Sequence, residues 1–394
     1  MPRVYGALER KYLDEVLTSA KLGWYQGGMV TRLEDAFAKR IGVKYGIARN
    51  SAMTALAQAV SVSGAGTGTE VICDPIVHFG AVAALYFNAV PRFADVKPDT
   101  YLMDPASLRA NITKKTKAVI VTHFYGLCAE VDEIRKICDE HGLFLIEDCA
   151  HNMNSYWKGK HAGSYGDMSC FSFQQKKHLA TGDGGMMVTN HKEFHEKLYN
   201  DWAFRGEVPA FMTLNFRMNE LTAAVGLAQL ERVDEWVAEY TQNLNILNEA
   251  VRDCKWLVQR RVPKEAVQAG YYWTCTWQGD KQGLDFGRFK EICEELGLTK
   301  IQTGLIGGDV RFGFTGQPVY MFDFFKKATI YGHPDCPVRC PLYESDYRYK
   351  PGLCPTAEEL IPRLVIMRVV EQPPADVMRR ADLLREAIKL TERG

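Results

Sequence analysis

Short apolar runs alternate with stretches of helical period through the first half of this chain. The runs at 44–48, 70–74, 90–95, 118–124, 143–148, 168–173 and 185–189 have strand length, and most of the intervals between them, including 51–62, 79–88 and 130–141, repeat apolar residues every three or four positions. Repeated strand–helix units of this size predict an α/β large domain: a mainly parallel seven-stranded sheet wrapped by helices, with ligands at the carboxyl ends of the strands. Two helical patterns precede it. Residues 3–22 carry Leu8, Tyr12, Leu13, Val16 and Leu17 and end at Gly23, and residues 30–41 carry Val30, Leu33, Phe37 and Ala38 and end at Gly42.

After Thr189 a polar helical segment runs to about Phe204, followed by a Gly/Pro-containing loop. One long helix is then expected from about Asn219 to Val251, with Leu221, Ala224, Val225, Leu227, Leu230, Val233 and Trp236 on its apolar stripe. Such a helix can bridge to a second domain. Beyond it the pattern is less regular: a strand at 271–277, a helix near 287–296, a Phe/Tyr/Gly/Pro-rich region to about 356, an apolar β run from Leu364 to Val369, and a closing amphipathic helix at 374–392. The expected division is a large domain over 1–253 and a smaller C-terminal α+β domain over 254–394.

With 394 residues the chain is long enough for two cores, and its 48 basic and 48 acidic side chains balance. That balance argues against nucleic acid or an anionic membrane as a partner. Eleven scattered cysteines, no apolar leader and no run of 18 apolar residues lead to the expectation of a reduced cytoplasmic protein. His333, Cys336, Cys340 and Cys354 raise the question of zinc, but H-x2-C-x3-C-x13-C lacks paired C-x2-C knuckles, and no metal is expected.

Candidate chemistry centres on Ser169–Asn190. An apolar strand run leads to Lys176, Lys177 and His178, and the chain returns through Gly182-Asp183-Gly184-Gly185 into a second strand. A lysine buried just past a strand loses the solvation that favours its ammonium form, and its amine becomes nucleophilic; a solvated surface lysine is the plain alternative. A second strand run, 143–148, ends in Asp148 at the same edge, where the residue could also serve only as a helix cap. A Schiff-base lysine with an aspartate for a pyridinium nitrogen is the pairing pyridoxal 5'-phosphate needs to act as an electron sink. Ala48–Leu56 passes from strand into helix through small and polar residues, so the N–H groups at Ala52 and Met53 could hold a phosphate or simply start a capped helix. After the next strand, His78 or Phe79 could stack on a planar ring or belong to the core. A nicotinamide enzyme is set aside, because Arg49 to Thr54 contains no glycine where a G-x-G-x-x-G turn would fall.

Nearly the whole chain resembles the DegT/DnrJ group of fold type I, pyridoxal-phosphate-dependent sugar aminotransferases. The likeness lies in Gly23-Trp24, Gly27-Gly28, Ser51–Leu56, Glu147-Asp148-Cys149-Ala150-His151, Phe171 through Lys177 to Gly185, and Asn215-Phe216-Arg217. It implies that Lys177, four positions after Phe173, is the Schiff-base lysine, that Asp148 pairs with the pyridinium nitrogen and that His151 lies near the cofactor's 3-oxygen. Ser172, Ala52 and Met53 would bind phosphate, and Asn215 would reach the cofactor of a neighbouring subunit in a homodimer with shared sites. Two departures stand out: Ala52-Met53 replaces the family's usual Gly-Thr, removing a hydroxyl from the phosphate loop, and Asp183 replaces a commoner Glu. The implied reaction moves an amino group from glutamate or glutamine, through pyridoxamine phosphate, to a keto-sugar, by base rate a nucleotide-linked one, or to a keto-cyclitol. The alternatives are a sugar 3-dehydratase, which in some relatives carries histidine in place of the lysine, and a noncatalytic binding or regulatory relative.

Overall fold

The structure, a computed structural model, describes residues 3–199, 214–298, 310–312, 315–327, 329–330, 333–334 and 336–393. Two helices, α1 (Ala7–Ser19) and α2 (Met29–Ile41), lead into the alternation β1 (Tyr45–Arg49), α3 (Ala52–Val62), β2 (Glu70–Cys73), α4 (His78–Tyr86), β3 (Val90–Phe93), α5 (Pro105–Asn111), β4 (Thr116–Thr122), α6 (Val131–His141), β5 (Phe144–Asp148), β6 (Met168–Ser172) and β7 (Gly185–Thr189). These seven strands form one sheet in the order β1-β7-β6-β5-β4-β2-β3. The run from β6 through β5, β4 and β2 to β3 is parallel, and β7 is antiparallel to both its neighbours. The parallel strands are covered on both faces, so Val71, Ile72, Val119, Ile120, Leu145 and Ile146 are fully buried. Their continuous apolar runs are the sequence signature of that double burial.

Helix α1 begins at Ala7 rather than residue 3, because Gly6 is its cap and donates its N–H to Glu9 at 2.8 Å, leaving residues 3–6 outside the helix. After α7 (Lys192–Tyr199), the expected helix end near 204 lies outside the described residues. The single long helix expected over 219–251 is instead two, α8 (Glu220–Leu230) and α9 (Val233–Ala250). Arg232 leaves the helical path at φ −117° and ψ 0°, and its guanidinium pairs with the buried Glu9 of α1. That ion pair ties the break to the N-terminal helix.

Helix α9 belongs to two cores. Val233, Trp236, Val237 and Tyr240 pack with the large sheet, while Leu244 and Leu247 pack with Trp256, Trp273, Trp277, Phe289 and Leu384 in a second cluster. That cluster covers a four-stranded antiparallel sheet in the order β8 (Leu257–Gln259), β9 (Tyr272–Trp277), β11 (Leu364–Arg368), β10 (Val310–Phe312), against α10 (Phe286–Glu295) and α11 (Pro374–Arg393). Among the described residues no helix is long and apolar enough to cross a membrane.

Candidate active site

The carboxyl ends of β1, β5 and β6 open on one cavity of about 730 Å³, whose wall includes Ser51, Ala52, Met53, Phe79, Asp148, His151, Ser172 and Lys177. Residues from four separate stretches of sequence thus meet there.

The loop that carries Lys177 is held by its own backbone. Phe173 donates its N–H to the Gly184 carbonyl at 2.9 Å, Thr181 donates to Phe173 at 2.8 Å, and Gln175 donates to Gly182 at 2.7 Å. Two of its glycines have separate reasons. Gly182 sits at φ +93°, and a side chain on Gly185 would lie 2.5 Å from the Ser51 carbonyl carbon. The second contact is functional in its geometry, because it lets β7 press against the first turn of α3. There Ser51 caps the helix by accepting the Thr54 N–H at 3.1 Å, and no hydrogen bond engages the Ala52 and Met53 N–H groups among the described residues. Two open donors at a helix start share this wall with the Ser51 and Ser172 side chains, groups of the kind that can receive an anion.

Lys177 is half-buried, with Nζ 5.2 Å from the centre of the Tyr271 ring. Burial lowers its pKa to about 8, and the Asp148 carboxylate opposes that shift only in part. Asp148 is 1 % exposed. Its Oδ1 accepts the Ala150 N–H at 2.9 Å, and its Oδ2 is buried with no hydrogen-bond partner. Burial raises this carboxyl to about 6 against the opposing effects of Ala150 and Lys177. His151 stacks on Tyr271 with centroids 4.9 Å apart, and its buried Nδ1 also lacks a partner. Burial pushes its pKa well below the ordinary range, so the ring is neutral.

Phe79 lines the cavity, whereas His78, one residue earlier, lies half-buried beside Phe79 and Phe322. His178 turns away from the cavity: its Nε2 lies 2.8 Å from the Gly270 carbonyl, and burial takes its pKa to about 3. Asn215 is exposed and does not reach the cavity of its own chain. Of the zinc candidates, Cys354 is buried and Cys336 and Cys340 are half-buried, while the His333 side chain lies outside the described residues.

Three tyrosines on the wall escaped the sequence reading: Tyr125, Tyr271 and Tyr272. Tyr125 takes a left-handed backbone at φ 48° and stacks on Tyr272 at 4.8 Å, closing the cavity from the side of the smaller sheet. The available signal was Gly126, at φ +77° just beyond Tyr125, where a side chain would strike the Ala269 carbonyl. A buried brace was also missed. His123 accepts the Ala129 N–H at Nδ1, so its Nε2–H donates to Glu147 at 2.8 Å. Glu147 further accepts from the N–H groups of Gly163 and Tyr165 at 2.8 Å each and from Gly166. Burial would raise its pKa, yet these hydrogen bonds together lower it. With Cys149 these side chains are of metal-ligating type, but the donors already occupy the Glu147 oxygens.

An amine of lowered pKa and a partnerless buried carboxyl on one cavity wall, at the strand ends of a mainly parallel sheet, fit an α/β enzyme of the fold type I aminotransferase class. The description "DegT/DnrJ/EryC1/StrS aminotransferase family" matches residues 5–338, and the chain belongs to that family. It is 33% identical over 263 residues to a GDP-perosamine synthase of Escherichia coli O157:H7, covering 63% of this chain and 71% of that one. Against the GDP-perosamine synthase of Vibrio cholerae it is 37% identical over 235 residues, 58% of this chain and 63% of that protein, so this likeness spans less than two thirds of the relative's length. A Micromonospora echinospora protein provisionally named an L-glutamine:3-amino-2,3-dideoxy-scyllo-inosose aminotransferase is 32% identical over 249 residues, 61% of this chain and 60% of that one. Among solved structures, 3-amino-5-hydroxybenzoic acid synthase superposes with a TM-score of 0.81 at 25% identity over 99% of this chain and 98% of that one. DesI, determined in the presence of its TDP-sugar product, gives 0.80 at 25% identity, over 100% and 93%.

Proposed function

We propose that this aminotransferase uses pyridoxal 5'-phosphate to carry an amino group from glutamate or glutamine to the ketone of a sugar, nucleotide-linked as in the GDP- and TDP-sugar relatives, or of a cyclitol. The observation that carries the reading is the partnerless Oδ2 of Asp148, buried in the same cavity wall as Lys177. The residues fit the cofactor: Oδ2 has room for a pyridinium N–H, the open N–H groups of Ala52 and Met53 with Ser51 and Ser172 suit the phosphate, and Phe79 and His151 offer ring faces. Bound there, pyridoxal phosphate supplies an aldehyde that takes up an amine and a ring that accepts electron density from the adjoining carbon.

The chain's own residues do the rest. Asp148 would hold the proton on the ring nitrogen, whose N–H would in turn satisfy the buried Oδ2 and stabilise its charge. Lys177 Nζ, with its pKa near 8, would be the base that takes the proton from the donor's α-carbon and delivers it to the cofactor's C4′ carbon, and would move a proton from C4′ to the acceptor's carbon in the return half. Tyr125 and Tyr272, stacked on one another, form part of the same wall. The dehydratase alternative loses support because His178 points to Gly270 and Lys177 occupies the wall. Exposed Asn215 supports a homodimer in which this residue reaches the neighbouring subunit's cofactor phosphate. Eleven free cysteines support a reducing, cytoplasmic setting.

The test is borohydride reduction of the pyridoxal-phosphate-treated protein, with mass mapping of the adduct. The expected adduct lies on Lys177; Lys177→Ala should lose it and all turnover while still binding the cofactor noncovalently. Normal turnover by that variant would refute the assignment. Adding glutamate or glutamine first, and watching which one discharges the visible absorbance, names the donor.

A further inference from the structure

The four residues ahead of α1 reach across the molecule to the catalytic loop. Arg3 has a side chain only 1% exposed. Its guanidinium donates to the carbonyls of Gln175 at 2.9 Å, His178 at 3.2 Å and Lys177 itself. The same group pairs with Glu371 at 3.0 Å, just beyond β11 of the smaller sheet, and Glu371 is in turn paired with Arg368. Two further bonds hold the loop in register: Tyr5 donates to the Gln175 side chain at 3.4 Å, and His178 Nε2 donates to Gly270 at 2.8 Å.

We propose that Arg3 is a positioning residue for Lys177. Three carbonyls within four consecutive residues turn toward one planar fork, which fixes the peptide plane that follows Lys177, while the Lys177 N–H donates to the Gln174 carbonyl at 2.9 Å on its other side; the backbone so held carries the Lys177 side chain into the cavity whose wall includes Asp148. Lysine cannot reproduce this, since a point charge lacks the fork's fixed set of donors. Glu371 offsets the charge and anchors the fork to the smaller sheet, so the reach of Lys177 is coupled to how that sheet sits on the large one. Arg3 is not part of the cavity wall and acts only through the lysine it orients. This inference rests on the role proposed for Lys177.

The experiment compares Arg3→Gln and Arg3→Lys with the wild type in two measurements on the full chain: the rate at which pyridoxal phosphate becomes borohydride-trappable on Lys177, and the noncovalent affinity for pyridoxal phosphate in a Lys177→Ala background. Arg3→Gln should slow trapping roughly ten- to a hundredfold, the range expected for a reacting group displaced by about 1 Å. Arg3→Lys should recover only part of the rate. In the Lys177→Ala background, Arg3→Gln should change the affinity by less than about twofold, because residues that act through a missing side chain do not add. A wild-type trapping rate in Arg3→Gln overturns the inference, as does an equal loss of affinity in the Lys177→Ala background, which would make Arg3 a support for the whole site. If Arg3→Gln loses its cooperative melting transition, Glu371→Gln replaces it in both measurements, since without its anchor the fork is no longer held against the three carbonyls; trapping should again slow, and a wild-type rate overturns the inference. A wild-type protein that forms no adduct sinks the cofactor reading itself, whereas adducts formed equally by wild type and variant sink only the role of Arg3.

Discussion

Gly185→Ala tests whether the close approach of β7 to the first turn of α3 shapes the proposed phosphate site. The added carbon would lie 2.5 Å from the Ser51 carbonyl carbon and 2.6 Å from the Ala52 nitrogen. Carbon atoms in ordinary contact sit about 3.5–4.0 Å apart, so the overlap is about 1 Å, and both struck atoms are backbone that no rotamer change can move. Overpacking of this kind costs roughly 1–3 kcal/mol, which urea unfolding of the cofactor-free protein should show. The helix start must also shift, and with it the open N–H groups of Ala52 and Met53. Losing one hydrogen bond to a charged phosphate is worth about 1.5–3 kcal/mol, or about ten- to a hundredfold in the noncovalent Kd for pyridoxal phosphate, measured in a Lys177→Ala background. Gly182→Ala is the control. Gly182 sits at φ +93° with nothing within 4 Å, so alanine there should lose roughly 1–2 kcal/mol of stability from backbone strain without touching that site. If Gly185→Ala binds the cofactor as tightly as Gly182→Ala does, the packing of β7 on α3 does not form the phosphate site.

Two predictions concern pH. In the cofactor-free protein Asp148 keeps its proton to about pH 6, whereas an unfolded aspartate releases it near 3.8. The folded state binds the extra proton across that window, so unfolding free energy should fall as pH rises from about 4 to 6, by a few kcal/mol at most, and Asp148→Asn should flatten the slope in urea titrations; an unchanged slope would show that Asp148 is not the group involved. Lys177 is shifted the other way, so acylation of its amine by a small reagent, followed by peptide mapping, should rise through pH of about 8, and a midpoint at an ordinary lysine's value would mean that the amine is solvated.

The seven strands of the large sheet were legible because strands buried on both faces leave continuous apolar runs, and the strand ends at Asp148 and Ser172 fall within a residue of where those runs stop. The break between α8 and α9 was not legible, since Leu227, Leu230, Val233 and Trp236 keep helical spacing across it and the cause, an ion pair from Arg232 to Glu9, spans the chain. Helix α5 has seven residues, too few for a period to show, and only its Asp104 cap and Pro105 announce it. The choice between His78 and Phe79 turned on a one-residue register in the first turn of α4, which spacing alone does not fix. Tyr125, Tyr271 and Tyr272 come together only through the docking of the two sheets. Arg3 was invisible for the same reason: its partners lie more than 170 positions away in sequence.

Glu147 and Asp148 are neighbours on β5, yet the fold treats them in opposite ways. The two-residue period of a strand sends their side chains to opposite faces. On one face Glu147 meets His123 and the N–H groups of Gly163, Tyr165 and Gly166, which keep a fully buried carboxylate charged and leave it nothing further to bind. On the other, Asp148 receives a single N–H, from Ala150, and keeps one buried oxygen open. A structural carboxylate is worth burying only when its oxygens are satisfied; an unsatisfied one destabilises the fold until something donates to it. The stability withheld at Asp148 is therefore available to any ligand that brings an N–H to Oδ2, and a ligand that binds only the folded state recovers it as added stability. The open oxygen of Asp148, more than its place in a motif, is the ground for proposing it as the functional member of the pair.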